Sequence, residues 1–205
     1  VSRSFKAADQ KDFQAIKEQY SQGKDYFVFL GTIHPRKNLK NLLLAFERFK
    51  ESIKGDEKLL VIGNRKWWPK ELEATYRSMQ HADEVIFTSR LEDHEVSKVL
   101  SASIALTYLP FFEGFGIPIL EAFQCKTAVI TAKNTSLPEV GGNAALYASA
   151  EDVKEIADQM ILIRQNSALR DELIEKGSAR TLAFSWEKTA NLLWESAMKC
   201  HGNES

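Results

Sequence analysis

The chain has 205 residues, 44% of them hydrophobic and 27% charged, with a formal net charge of −1. That length suits one large domain whose interior holds together without disulfide staples. The near balance of basic and acidic residues gives no electrostatic case for nucleic acid as a partner, so any anion site has to be local.

In chain order, residues 1–24 read as a polar lead-in segment with one amphipathic stretch around Phe13, Ile16 and Tyr20. From residue 25 to 184, short apolar runs alternate with longer helical patterns. Strands are predicted at 26–31, 58–63, 84–88, 104–109 and 127–131, with a weaker one at 145–147. Several are apolar throughout, as expected when both faces of a sheet are covered. Helices are predicted at 38–53, 69–81, 93–102, 117–125, 151–165 and 168–182. A last helix and tail occupy 185–205. Alternation of this kind predicts an α/β fold, a single Rossmann-like parallel sheet flanked by helices and joined by right-handed crossovers. Ligands of such sheets bind at the carboxyl ends of the strands, which selects the loops 31–38, 63–69, 88–93, 110–117 and 131–139.

The loop from Gly31 to Asn38 leaves a strand and enters a helix, whose first N–H groups and dipole favour phosphate. Arg36 and Lys37 add full charges there, and Asn38 is a plausible N-cap. Solvated basic residues before a helix are an equally good reading of that pair taken alone. Gly63-Asn64-Arg65-Lys66-Trp67-Trp68-Pro69 repeats the arrangement after the next strand, with Arg65 and Lys66 able to face the same ligand. A structural role is expected for at least one of the tryptophans. The loop Pro110-Phe111-Phe112-Glu113-Gly114-Phe115-Gly116 then brings glycines that let backbone approach a ligand. Glu113 and, about one turn into the next helix, Glu121 are expected at one site. Their carboxylates suit sugar hydroxyls, and the free N–H groups between them suit a diphosphate. Acidic residues near a helix N-terminus are also stabilising for dipole reasons alone. The histidines lack zinc-ligand spacing, and Glu92-Asp93-His94-Glu95 is expected to open a helix rather than hold a metal.

Taken in order, residues 29–38, 60–63, 85–101, 113–122 and 136–141 resemble the group-1, or family 4, retaining glycosyltransferases of the two-lobed GT-B architecture. The resemblance covers roughly residues 25–200 and implies the C-terminal, donor-binding lobe. It implies catalytic roles for Lys37, on the donor diphosphate, and Glu113, beside the transferred sugar. Gly114, Phe115 and Gly116 would donate backbone hydrogen bonds, Ile117 and Leu120 would line the site, Glu121 would accept from the ribose, and Leu91 would meet the base. Relatives often carry Arg where this chain has Thr32, so Arg36 or Arg65 is expected to substitute as the second phosphate ligand. Where relatives tend to have Gly-Thr-Pro, this chain has Lys126-Thr127-Ala128.

The implied reaction is transfer of a hexose, mannose being one that the resemblance suggests, from a nucleoside-diphosphate sugar to a glycan or lipid-linked acceptor. No cofactor or metal is expected; the nucleotide sugar is the donor substrate. A non-catalytic nucleotide-sugar-binding or scaffolding module is the alternative, and hydrolysis or phosphorolysis on the same architecture is a third. An N-terminal acceptor-binding lobe is expected as a partner outside this chain, with membrane contact only through that lobe or the acceptor. Helix 185–200 would cross back toward it. Neither a signal peptide nor an apolar run of roughly 20 residues is seen, and Cys125 and Cys200 read as free thiols, so a cytoplasmic chain is expected.

Overall fold

A computed structural model describes residues 4–64 and 67–201. Six strands form one sheet: β1 (Tyr26–Leu30), β2 (Lys58–Ile62), β3 (Val85–Thr88), β4 (Ala105–Tyr108), β5 (Ala128–Ala132) and β6 (Leu146–Ala148). Their order is β3-β2-β1-β4-β5-β6, and every neighbouring pair is parallel. This is the expected doubly wound α/β sheet. The chain runs outward from β1 to β3, then returns to start β4 on the other side of β1. That reversal opens a crevice at the carboxyl ends of β1 and β4.

Nine helices are found among the described residues: α1 (Phe13–Ser21), α2 (Leu39–Ser52), α3 (Lys70–Ser78), α4 (Asp93–Ser101), α5 (Ile117–Gln124), α6 (Leu137–Gly141), α7 (Val153–Gln165), α8 (Ser167–Thr181) and α9 (Trp186–His201). One packed group joins α2 to α3 and α7, the other joins α5 to α4 and α8, with α1 on α4. Strands covered on both sides bury nearly every residue, and Phe27, Phe46 and Phe49 interlock beside β1 with ring centroids 5.2 and 6.0 Å apart. Each such side chain contributes about 1.5–3 kcal/mol of burial.

Residues 4–24 are docked rather than trailing. Phe5 is buried, the Lys6 N–H donates to Ser97 Oγ (3.1 Å), and the Ala8 N–H donates to Ser101 Oγ (3.0 Å). Every described side chain of α9 is exposed, including Trp186, Leu193 and Trp194. No helix among the described residues is long and apolar enough to cross a membrane.

Candidate functional site

The loop after β1 is shaped by its own side chains. His34 Nδ1 accepts the Arg36 N–H at 3.1 Å, closing a short 3-10 turn over Pro35–Lys37. Asn38 then takes a left-handed conformation (φ 61°) and starts α2. Its side chain does not cap that helix, contrary to expectation. The amide Nδ2 instead donates to the Leu109 carbonyl (2.9 Å) and the Ala150 carbonyl (2.7 Å), because the end of β4 lies directly beside it. With the Phe111 N–H donating to the Arg36 carbonyl (2.9 Å), this laces the first loop to the loop after β4.

The lacing brings Arg36 and Lys37 to Glu113. Lys37 Nζ lies 2.6 Å and Arg36 Nη1 3.3 Å from Glu113 Oε2. Arg36 Nη1 also donates to the Phe112 carbonyl at 2.8 Å. Burial works to raise the Glu113 pKa, but hydrogen bonds from Lys37 and Tyr108 and the charges of Lys37 and Arg36 outweigh it, so the carboxyl sits below its ordinary value. Beyond Glu113, the Ser136 hydroxyl reaches the carbonyls of Glu113 (3.0 Å) and Phe115 (2.9 Å), and Asn134 Nδ2 donates to the Phe111 carbonyl (3.1 Å). Gly116, at φ 106°, forms the start of α5, where a Cβ would come within 3.0 Å of Leu137 Cδ2. Gly114 has neither constraint: a Cβ there meets nothing within 4 Å. Its lack of a side chain serves no packing need of the protein itself.

Glu121 stands apart from this cluster, in a cleft of its own. It lines a cleft of about 250 Å³ with Phe5, Gly31, Thr32, Arg90, Leu91 and Asp93, at the carboxyl ends of β1 and β2. Burial first, and the Asp93 charge second, push its pKa up to about 7. A second hollow of about 290 Å³, bordered by Gly63, Asn64, Thr88 and Ser89, shares Gly63 and Asn64 with the first. Gly31 joins the two halves of the site: a Cβ there would lie 3.8 Å from Lys37 Cε, and the residue also borders the Glu121 cleft. A larger cavity, about 770 Å³ beside Lys17, Cys125 and Arg170, contains none of these groups.

The structure thus gathers Arg36, Lys37 and the Gly114 N–H around the Glu113 carboxylate, with Gly116 two residues beyond at the start of α5, and places Leu91 and Glu121 in the neighbouring cleft. Phe115 and Ile117 are exposed, and Phe115 meets Phe184 edge-on at 6.0 Å. Leu120 is buried in the core. Arg65 lies outside the described residues. Trp68 packs edge-on against Tyr76 and Phe87, the structural role expected for one tryptophan, while Trp67 is exposed and 5.9 Å from His34. Glu92 and Glu95 form a capping box on α4, as their place before a helix suggested. Two participants escaped sequence reasoning. Tyr108 was hidden in an apolar strand, its only signal being a hydroxyl at the strand's last residue. Phe5 lay in what read as a polar lead-in.

The amino-acid sequence and the fold match known proteins. The family model of glycosyl transferases group 1 matches residues 10–180. The O-antigen chain mannosyltransferase B of Escherichia coli is 32% identical over 162 residues, which is 79% of this chain and 42% of that protein. A serotype-specific mannosyltransferase of the same organism is 29% identical over 89% of this chain, and this chain spans 23% of it. Among solved structures, HepE of Anabaena, in complex with UDP and glucose, superposes with a TM-score of 0.82 at 15% identity, over 94% of this chain and 53% of that one. The C-terminal domain of a glycosyl transferase group 1 family protein from Francisella tularensis gives 0.74 at 22% identity, over 88% of this chain and 95% of that one. The chain therefore spans less than half the length of these curated relatives. With the sheet, the crevice and the family match over 10–180 in agreement, the chain belongs to the glycosyl transferases group 1 family.

Proposed function

We propose that this chain is the donor-binding lobe of a retaining hexosyltransferase that uses a nucleoside-diphosphate sugar. One observation carries the reading: a cationic pair with a carboxylate (Arg36, Lys37, Glu113) adjoins a separate carboxylate-lined cleft (Glu121, Leu91) across Gly31. A nucleotide sugar has the matching order of parts. The diphosphate meets Lys37 and Arg36, the sugar hydroxyls meet Glu113, the ribose meets Glu121, and the base meets Leu91. Gly114 leaves room for the donor to approach the backbone. The mannosyltransferase names of the relatives favour mannose as the hexose, and a lobe outside this sequence supplies the acceptor.

In the reaction, the bond from the anomeric carbon to the donor phosphate oxygen breaks, and a bond to the acceptor oxygen forms on the same face. The acceptor proton passes to the leaving diphosphate. Lys37 and Arg36, brought to the donor site by the laced loops, stabilise the negative charge that grows on that group.

Calorimetric titration with GDP-, UDP- and ADP-sugars tests the reading. Saturable binding that is lost in Lys37→Ala and Glu121→Ala is expected. No binding at millimolar ligand would favour a scaffolding module, and binding unchanged in both variants would overturn the assignment of the site.

A further inference from the structure

Tyr108 ends β4 with its side chain buried, yet its hydroxyl lies among the charged groups of the site. It accepts a hydrogen bond from Lys37 Nζ (2.7 Å) and donates one to Glu113 Oε2 (2.5 Å). Lys37 Nζ also stands 4.9 Å from the centre of the Tyr108 ring. Three donors therefore converge on one oxygen of Glu113, from Lys37, Arg36 and Tyr108. The other oxygen receives only the Gly114 N–H, at 3.3 Å, among the described residues. The ammonium of Lys37 has three protons, and the two bonds made here leave one for a ligand.

The three donors differ in what a donor would do to them. A diphosphate carries enough charge to draw both Lys37 and Arg36 away from Glu113. Tyr108 is neutral, and burial with the neighbouring carboxylate keeps its phenol pKa far above the ordinary range, so it has no such competitor. It is anchored in the sheet, where β4 pairs with β1 and β5.

We propose that Tyr108 is a positioning residue for the donor sugar, holding Oε2 of Glu113 while Lys37 and Arg36 engage the diphosphate, so that Oε1 faces the sugar hydroxyls. The inference rests on the donor-site reading above. Without the phenol, Glu113 would follow the two cations, and recognition would fall on the sugar rather than on the nucleotide.

The test compares sugar nucleotide with bare nucleotide in the chain as it stands: UDP-glucose against UDP, and GDP-mannose against GDP. Tyr108→Phe keeps the buried ring and leaves Lys37 and Glu113 paired with each other. The expected result is about tenfold weaker binding of the sugar nucleotide, the scale of one charge-assisted hydrogen bond. The bare nucleotide should change by less than about threefold. Glu113→Gln should weaken the same ligand, and adding Tyr108→Phe to it should have little further effect, because the phenol acts through that carboxylate. An equal loss for both ligands, no loss for either, or additive losses in the double variant would overturn the proposal. If the unaltered chain bound neither ligand, the donor-site reading itself would fail and take this inference with it.

Discussion

Glu121 offers a test of the site that needs no ligand. Its carboxyl titrates near 7 in the folded chain against 4.5 ordinarily, from burial and from the charge of Asp93. Between those values the unfolded chain ionises this group while the folded chain keeps it protonated. Stability from Glu121 is therefore fully present below about pH 4.5 and is lost as pH rises to 7, after which the loss is constant. Integrated between pH 5 and pH 8, the loss is about 2.5 kcal/mol. For a domain of this size that is roughly 5–10 °C in melting temperature. Glu121→Gln cannot ionise and should escape the loss. Urea unfolding of both proteins at pH 5 and pH 8 measures it, with the variant close to the parent at pH 5 and about 3 kcal/mol more stable at pH 8. A stability difference equal at the two pH values would refute the reasoning. A carboxylate kept where its charge is destabilising fits a ligand-binding role better than a structural one.

Four further substitutions probe the backbone. Lys126 follows α5 at φ 54°, with the Lys126 N–H on the Phe123 carbonyl and the Thr127 N–H on that of Ala122, a helix ending that favours glycine. Lys126→Gly should raise stability by about 1 kcal/mol in urea melts, and an unchanged or lower midpoint would contradict that account. Gly114→Ala should melt like the parent, since its Cβ meets nothing, yet weaken binding of the nucleotide sugar. Gly116→Ala, at φ 106° and crowding Leu137, should cost about 1–3 kcal/mol before any ligand is added. Gly63→Ala would place a Cβ 2.0 Å from the Gly31 carbonyl oxygen at φ 156°, so a loss of about 3 kcal/mol or more is expected by thermal or chemical unfolding.

The strands were legible because their residues report burial directly. Runs such as Tyr26–Leu30 and Lys58–Ile62 are apolar since both of their faces are covered, and each expected strand has its counterpart within a residue or two. Helix α6 was not foreseen, as five residues give too little of a period to read. Asn38 looked like a cap because its side chain commonly bonds the backbone nearby. It turned to Leu109 and Ala150 because tertiary packing offered two buried carbonyls that no local pattern announces. Tyr108 stayed hidden for a related reason: its ring satisfies the apolar pattern of a strand, and only the position of its hydroxyl gives it a polar task.

What the amino-acid sequence determined by itself was the alternation of strand and helix, the loops at the strands' carboxyl ends, and the residues able to hold phosphate and sugar. Local periodicity encodes which face of each element is buried, and little else. Tertiary structure decided the partnerships. Starting β4 beside β1 brings Lys37 within 2.6 Å of Glu113, far along the chain, while the turn at Gly116 sends Glu121, only eight positions beyond Glu113, into the neighbouring cleft. Those distances follow from strand order and chain reversal, which arise from the packing of the whole domain.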